Sequence, residues 1–403
     1  MSPPPLADTN LFKPIKVGNV TLKNRLAFAP TTRLRNAEGG IATTLVQKHY
    51  EDRAENNGGL LIAEASFVSP QAGLFPGVPM IHTEEQAKAW KPITDSVHAK
   101  GSAIALQIWY LGRASYPAIL KAAGLPMLAP SAIYMDEESE KAAIEAGNPL
   151  KAMTTDDIHQ LIEDFKQAAI KAIKIAGFDF IELHSAHMYA LCQFIDINSN
   201  KRTDEYGGSI EKRAKLVLEV VDAVCEAVGP EHVGIRFSPY VTWQGGSGAD
   251  SPLLHPIAQY SYIFSELERR GKEGKRIAYV HNIEARVGRG IDVKDGPEHS
   301  SEWVRQIWKG VLIRAGGYLH QPDYANLIKD VNDNDRTLIG VSRYYTSNPD
   351  LAERLKKGLE LSPYERDNFY SPGNYGYNTY GKSGEKNLDK DSDVAKEVAV
   401  PLV

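Results

Sequence analysis

The chain has 403 residues, of which 42% are hydrophobic and 24% charged, an ordinary globular composition with enough apolar material for a sizeable core. Its 46 basic and 51 acidic residues, formally −5 in sum, are intermixed, which leaves no basic field for nucleic acid or an anionic lipid surface. The two cysteines, Cys192 and Cys225, exclude a disulfide framework and fit two core thiols in a reducing compartment.

The opening MSPPPLADTN has neither the basic start nor the apolar run of a signal peptide. No later stretch approaches the ~20 apolar residues of a membrane span, so a soluble cytoplasmic protein is expected. Residues 1–10 are rich in proline and are expected to be disordered. Leu11 to Leu22 predicts a short hairpin cap turning at Gly18-Asn19. Apolar runs of strand length then recur at about 25–30, 59–64, 102–109, 178–184, 232–238, 276–282, 311–315 and 337–341, generally with helix-like segments between them.

Two of those helices are well marked. From Thr154 to Gly177, Ile158, Leu161, Ile162, Phe165, Ala169, Ala172, Ile173 and Ala176 recur at three- and four-residue spacing, with Thr154 and Asp157 as a capping pair and Gly177 as the stop. Ser209 to Val228 follows the same pattern. Two stretches interrupt the regularity: about 112–153, with several prolines and the acidic run Asp136 to Lys141, and about 241–256, rich in Gly and Ser. Both read as excursion loops over the site, since loops of such length are commonly lids or binding loops. Past Tyr380 the periodicity is lost, and 381–403 reads as a polar tail. Eight strands alternating with helices require a parallel sheet. The expected fold is α/β, one domain over 11–380, closed as a (β/α)₈ TIM barrel in preference to a doubly wound open sheet.

Side-chain parity then locates the chemistry. In the fourth strand Glu182 and His184 share one side and Ile181 and Leu183 the other, and His187 and Tyr189 follow at once. In the third, Ala103, Ala105, Gln107 and Trp109 oppose Ile104, Leu106 and Ile108. In the fifth, Gly234, Arg236 and Ser238 oppose Val233, Ile235 and Phe237. An inward arginine is costly unless an anion pairs with it, either a neighbouring acid or a ligand. The last two strands end in Ala315-Gly316-Gly317 and Gly340-Val341-Ser342-Arg343. Such small residues let backbone N–H groups approach an anion, with Arg343 as countercharge, where this barrel commonly binds phosphate. Two other readings stand beside this one. His184 and His187 with Glu182 or His281 are candidates for a zinc hydrolase, although no third ligand stands out; a barrel that binds a ligand without catalysis is the other.

Five segments carry a family resemblance: His184-Ser185-Ala186-His187-Met188-Tyr189; the run Asn200-Lys201-Arg202-Thr203-Asp204-Glu205-Tyr206-Gly207-Gly208-Ser209-Ile210-Glu211; Ala29-Pro30-Thr31-Thr32-Arg33; Gln107-Ile108-Trp109; and Gly234-Ile235-Arg236-Phe237-Ser238-Pro239. Together they resemble the Old Yellow Enzyme family of FMN-dependent ene-reductases, in the arrangement of its yeast and fungal members, from about Leu11 to Tyr380. The resemblance implies noncovalent FMN across the C-terminal mouth of the barrel, NADPH as reductant, and an activated alkene, an α,β-unsaturated carbonyl or nitro compound, as substrate. It implies Pro30, Thr32, Ala65 and Gln107 against the flavin ring, with Thr32 at its C4 carbonyl and Arg236 at its pyrimidine edge. Gly316, Gly317, Ser342 and Arg343 would hold the phosphate. His184 and His187 would grip the substrate beside Trp109 and Tyr370, and Tyr189 would donate the proton. No metal and no nucleic-acid or membrane partner is expected, and the oligomeric state stays open between monomer and homodimer. Some fungal members serve one biosynthetic pathway, reducing or isomerising a single enal or enone. The chain departs from the family pattern at His187, where Asn is frequent, at Met188, Ser342 and Ala65, where Gly is usual, and at Gly317, a common Asn. Tyr110 faces either the substrate wall or the surrounding helices.

Overall fold

A computed structural model describes residues 3–284, 287–288, 291–292 and 299–403. Eight parallel strands close into a barrel: β1 (Leu26–Phe28), β2 (Leu60–Phe67), β3 (Ala103–Trp109), β4 (Phe180–Ser185), β5 (Val233–Phe237), β6 (Tyr279–Ile283), β7 (Leu312–Ala315) and β8 (Thr337–Val341). They follow chain order around the ring, and β8 pairs with β1. Each apolar run of the sequence has become a strand. Seven helices cross between successive strands: α1 (Thr44–Ala54), α2 (Glu84–Ala99), α3 (Thr155–Lys171), α4 (Ile210–Val228), α5 (Pro256–Lys272), α6 (Glu302–Ile307) and α7 (Ala325–Asn332).

Strand parity sorts the apolar side chains into two bodies. Outward residues such as Ile104, Leu106, Ile181, Leu183, Val233, Ile235 and Phe237 join the helices in the main core. Inward Ala27, Leu60, Ile62, Ala103, Ala105, Phe180, Tyr279, Ile313 and Leu338 fill the lower barrel. The antiparallel hairpin of Ile15–Val17 and Val20–Leu22 closes that end by adding Ile15, Val17 and Leu22 to the inner cluster. Its turn requires glycine: Gly18 has φ +52, and a Cβ there would stand 2.0 Å from the Glu231 carbonyl oxygen. Tyr110 is buried among the outer core residues, so it faces the helices.

The predicted capping pair begins α3. Thr154 Oγ1 accepts from Asp157 N at 3.1 Å, and Asp157 Oδ2 accepts from Thr154 N at 2.8 Å. The helix runs on through a π turn at Ala172–Ala176, and Gly177 stops it as expected, in the left-handed region at φ +80. The excursion after β3 has structure of its own. Helices Pro117–Ala122 and Glu137–Glu145 and a two-strand pair, Leu128–Ala129 with Lys151–Ala152, enclose Leu120, Met127, Ala129, Ala143 and Leu150.

The chain ends depart from their sequence reading. Residues 3–10 are placed rather than disordered: Leu6 is fully buried, its N–H donates to Leu355 O at 3.0 Å, and the segment lies where a Cβ on Gly358 would meet Pro3 O at 2.7 Å. One apolar anchor outweighs the proline-rich composition. Residues 381–403 are largely exposed, yet their end runs along the start of α1, with Thr44 N donating to Val400 O at 2.9 Å and Leu402 N to Ala42 O at 3.0 Å. The N-terminal amides of a helix lack internal acceptors, and the Val400 carbonyl supplies one. Among the described residues no helix is long and apolar enough to cross a membrane.

Candidate active site

Above the apolar plug the inward positions become polar. In the β4, β5 and β6 register, Glu182, Gly234 and Tyr279 form one row and His184, Arg236 and His281 the next. Gly234 makes the first row possible, because a Cβ there would stand 2.3 Å from Cζ of the Tyr279 ring. Glu182 is fully buried, accepts from Gln107 Nε2 at 2.7 Å and lies 2.8 Å from His281 Nδ1. This carboxylate, a candidate zinc ligand by sequence, is therefore occupied within the barrel wall. Arg236 is buried, and burial lowers its pKa while the charge of Glu182 opposes that shift. Among the described residues its Nε has no hydrogen-bond partner. The charge of Glu182 is felt at Arg236, and a guanidinium N–H still needs an acceptor.

Past β4 the chain makes a strained turn. His187 and Met188 have φ +55 and +61, two consecutive non-glycine residues in the left-handed region, a conformation kept only when the surroundings enforce it. Ser238 Oγ accepts from His187 N at 2.8 Å and Gln244 Nε2 donates to His187 O at 3.1 Å. Gln193, fully buried, donates to Met188 O at 2.7 Å and Leu111 O at 2.8 Å and accepts from Arg113 N at 3.1 Å.

The turn brings three reactive rings together. The His184 and His187 centroids are 5.7 Å apart, Tyr189 stands edge-on to His184 at 4.9 Å, and Trp109 meets Tyr189 at 4.7 Å. His184 Nδ1 accepts from Ala186 N at 3.3 Å, which assigns its proton to Nε2. Burial, and after it the Arg236 charge, lowers the His187 pKa to about 3. Burial also drives His184 well below its ordinary value, with His187 and Arg236 adding to the effect. Both rings are therefore neutral, with one N–H each to donate. Burial raises the Tyr189 pKa, and the nearby Tyr370 and Tyr116 phenols push the same way, so its hydroxyl keeps its proton.

A cavity of ≈ 850 Å³ joins these groups to the ends of β7 and β8. Every site residue expected from sequence lines it: Pro30, Thr32, Ala65, Gln107, Trp109, His184, His187, Tyr189, Arg236, Gly316, Gly317, Ser342, Arg343 and Tyr370. At the far end Gly316 and Gly317 have φ +130 and +66, and Ser342 Oγ lies 2.8 Å from Thr31 Oγ1. Behind them Arg314 holds Glu284 through two bonds, at 2.8 and 3.0 Å, and Tyr318 donates to Asp330 at 2.6 Å. The donor set fits FMN: a glycine turn and Arg343 suit a phosphate, the unsatisfied Arg236 Nε suits an electron-rich ring, and the volume lies in the range that takes a cofactor with a substrate.

Sequence reasoning missed several contributors. Gln193 and Gln244 gave no signal, because each acts on a backbone carbonyl. Trp243 lines the cavity from the Gly- and Ser-rich loop already read as a binding loop, and a lone aromatic there was the available clue. His320, Tyr344 and Arg366 also line it; they lie beyond the motifs.

Comparison with known proteins places this geometry. Residues 10–362 match the family described as NADH:flavin oxidoreductase / NADH oxidase. The chain is 46% identical over 391 residues to a protein of Candida albicans named "Probable NADPH dehydrogenase", covering 96% of this chain and 94% of that one. It is 43% identical over 387 residues to Enoate reductase 1 of Kluyveromyces lactis, covering 94% and 95%. The crystal structure of Old Yellow Enzyme from Pichia sp. AKU4542 matches with a TM-score of 0.94 and 56% identity, covering 99% of this chain and 100% of that one.

Proposed function

The chain belongs to the NADH:flavin oxidoreductase / NADH oxidase family, and from that premise we propose how its cavity serves an FMN-dependent NADPH dehydrogenase and ene-reductase of the Old Yellow Enzyme type. FMN, when bound, contributes hydride transfer, taken up from NADPH and delivered to the β-carbon of an activated alkene. Arg236 and Gln107 hold the electron-rich ring with Pro30, Thr32 and Ala65, while Gly316, Gly317, Ser342 and Arg343 receive the phosphate. His184 and His187 grip the carbonyl or nitro oxygen of the substrate. Two neutral N–H donors stabilise the negative charge that develops there, as in an oxyanion hole, without the cost of placing a second cation beside Arg236. Tyr189 holds its proton for the α-carbon. Trp109 and Tyr370 form the walls against which the alkene lies.

One observation carries this reading: the neutral His184 ring lies 5.7 Å from the neutral His187 ring and 4.9 Å from the protonated Tyr189 phenol, on a cavity that also holds a buried arginine whose Nε lacks a partner among the described residues. The oxidoreductase domain spans the barrel, 11–380. The free thiols of Cys192 and Cys225 favour a reducing, cytoplasmic setting. Tyr189→Phe tests the proton step. Stopped-flow reduction of the flavin by NADPH should be nearly unchanged, while alkene reduction slows by roughly 10²-fold or more, the scale of a lost general acid. Equal alkene reduction by the two proteins removes the role.

A further inference from the structure

We propose that Arg33 and Arg35 are positioning residues for this cavity: together they pin the peptide between Phe369 and Tyr370, and so fix where the Tyr370 ring stands relative to the site lined by Pro30 and Thr32. The inference rests on the reading of the site given above and adds what sets the spacing within it.

Tyr370 lines the cavity with 64% of its surface exposed. An exposed ring has few contacts of its own, so its backbone must place it. That backbone, residues 369–377, is an arch of bends and turns, and buried carbonyls outside regular structure need donors from elsewhere. Two side chains supply them. Arg33 donates to Phe369 O at 3.1 Å, to Gly376 O at 2.7 Å and to Asn368 O at 3.4 Å. Arg35 donates to the same Phe369 O at 2.7 Å, to Asn368 O at 3.0 Å, to Gly373 O at 3.0 Å and to Ser371 Oγ at 3.3 Å. Phe369 O belongs to the peptide that carries Tyr370, and both guanidinium groups meet on it.

The two arginines are 1% and 2% exposed and follow Thr32 by one and three positions. A wall near the end of the chain is thus tied directly to the strand end that carries the ring contacts. Leu34, between them, has φ +57, strain that a non-glycine residue keeps only where its surroundings enforce it. Two like charges side by side are also costly to bury. Burial, and after it the Arg33 cation, lowers the Arg35 pKa to about 10. The pair is tolerated because the Tyr377 ring, stacked on His49 at 4.0 Å, meets the two guanidinium carbons at 5.0 and 4.9 Å, and because the buried Glu64 accepts from Arg33 N at 3.2 Å. What the arrangement yields is direction: a planar fork serves several carbonyls at once, which a lysine ammonium cannot.

The test is a double-mutant cycle between Arg35→Gln and Tyr370→Ala in the FMN-loaded enzyme. The substrate is 2-cyclohexenone, and the dissociation constant of its saturated product, cyclohexanone, is read from the perturbation of the flavin band. Tyr370→Ala should raise KM and that constant roughly three- to tenfold, the scale of one aromatic contact. Arg35→Gln should raise both as much, with the limiting rate of flavin reduction by NADPH nearly unchanged. Arg35→Lys should recover little, and full recovery by lysine overturns the pinning role, since charge alone would then suffice. The double variant should bind no more weakly than Tyr370→Ala, because Arg35 acts through that ring. Additive losses overturn the proposal and leave the arginines as supports of the fold, and so does a Tyr370→Ala enzyme that binds as well as its parent. Gly376→Ala decides the matter if Arg35→Gln does not accumulate as a flavin-bearing protein. It keeps both arginines and disturbs the arch from its other leg, since a Cβ there would stand 2.4 Å from Cβ of Asn368. KM should rise in this variant too, and an unchanged KM overturns the proposal. If NADPH bleaches the flavin of the unmodified enzyme but 2-cyclohexenone is not reduced, the alkene reading of the site fails, and this proposal fails with it.

Discussion

At His187 the depressed pKa has a consequence for pH. The folded value of about 3 lies below the ~6.5 of an unfolded histidine. Above ~6.5 the ring is neutral in both states and contributes nothing to the pH dependence; below it the unfolded chain takes up a proton that the folded site refuses. Stability is therefore lost as pH falls from about 6.5 towards 3, and His184 acts in the same direction. The pH profile of kcat should show no imidazole step between about 5 and 8, while the thermal midpoint falls on acidification, less so in His187→Asn. A step near 6.5 that disappears in that variant would contradict the neutral-donor role. Gln193 is a positioning residue of another kind. Gln193→Leu strands the Met188 and Leu111 carbonyls and should cost about 1–3 kcal/mol for each group left buried without a partner, read from the urea midpoint. Alkene turnover should fall as well, since the same bond holds the turn between His187 and Tyr189.

Among the elements, β5 does most to shape the site. On its inward side lie Gly234 and Arg236, with Ser238 just past its end: the first makes room for Tyr279, the second faces the cavity, and the third accepts from the backbone of His187. Gly234→Ala would drive a methyl group into the Tyr279 ring, which is itself fully buried. The expected cost is about 1–3 kcal/mol, the usual range for an overpacked core, measured as a shift in urea midpoint at unchanged slope. A variant as stable as its parent would show that the ring can move aside. Elsewhere in the barrel, the Arg314, Glu284 and Asp330 network anchors the turn after β7, so the turn proposed to receive the phosphate is held from its outer, helix-facing side.

For the molecule as a whole, the cavity and the barrel are one object, because the same strands that bury the plug at one end carry the cofactor groups at the other. Binding FMN to the folded state alone must then stabilise the fold. At a free concentration of about 100 Kd the gain is about 2.7 kcal/mol, so the thermal midpoint should rise on adding FMN to the stripped protein. A midpoint indifferent to FMN would mean that the cofactor binds without using the folded barrel mouth.

Much of this is legible in the residue order, because the rules concerned are local. Period-two alternation is a property of extended backbone, so it alone places Glu182 with His184, Gln107 with Trp109, and Gly234 with Arg236 on the inward side. Apolar runs alternating with amphipathic segments, closed by a capping pair at Thr154 and a glycine at 177, define eight β/α units in the same way. Only the closed ring decided which inward groups meet. Glu182 and His281 are 99 positions apart and meet only because β4 and β6 both flank β5 in the closed ring. Gln193 and Ser238 hold His187 and Met188 in a conformation that their own sequence disfavours, and Leu6 is ordered only because a site beside Leu355 receives it. A residue's parity is set by its own backbone, but its partners are set by closure of the barrel, and no local pattern encodes that.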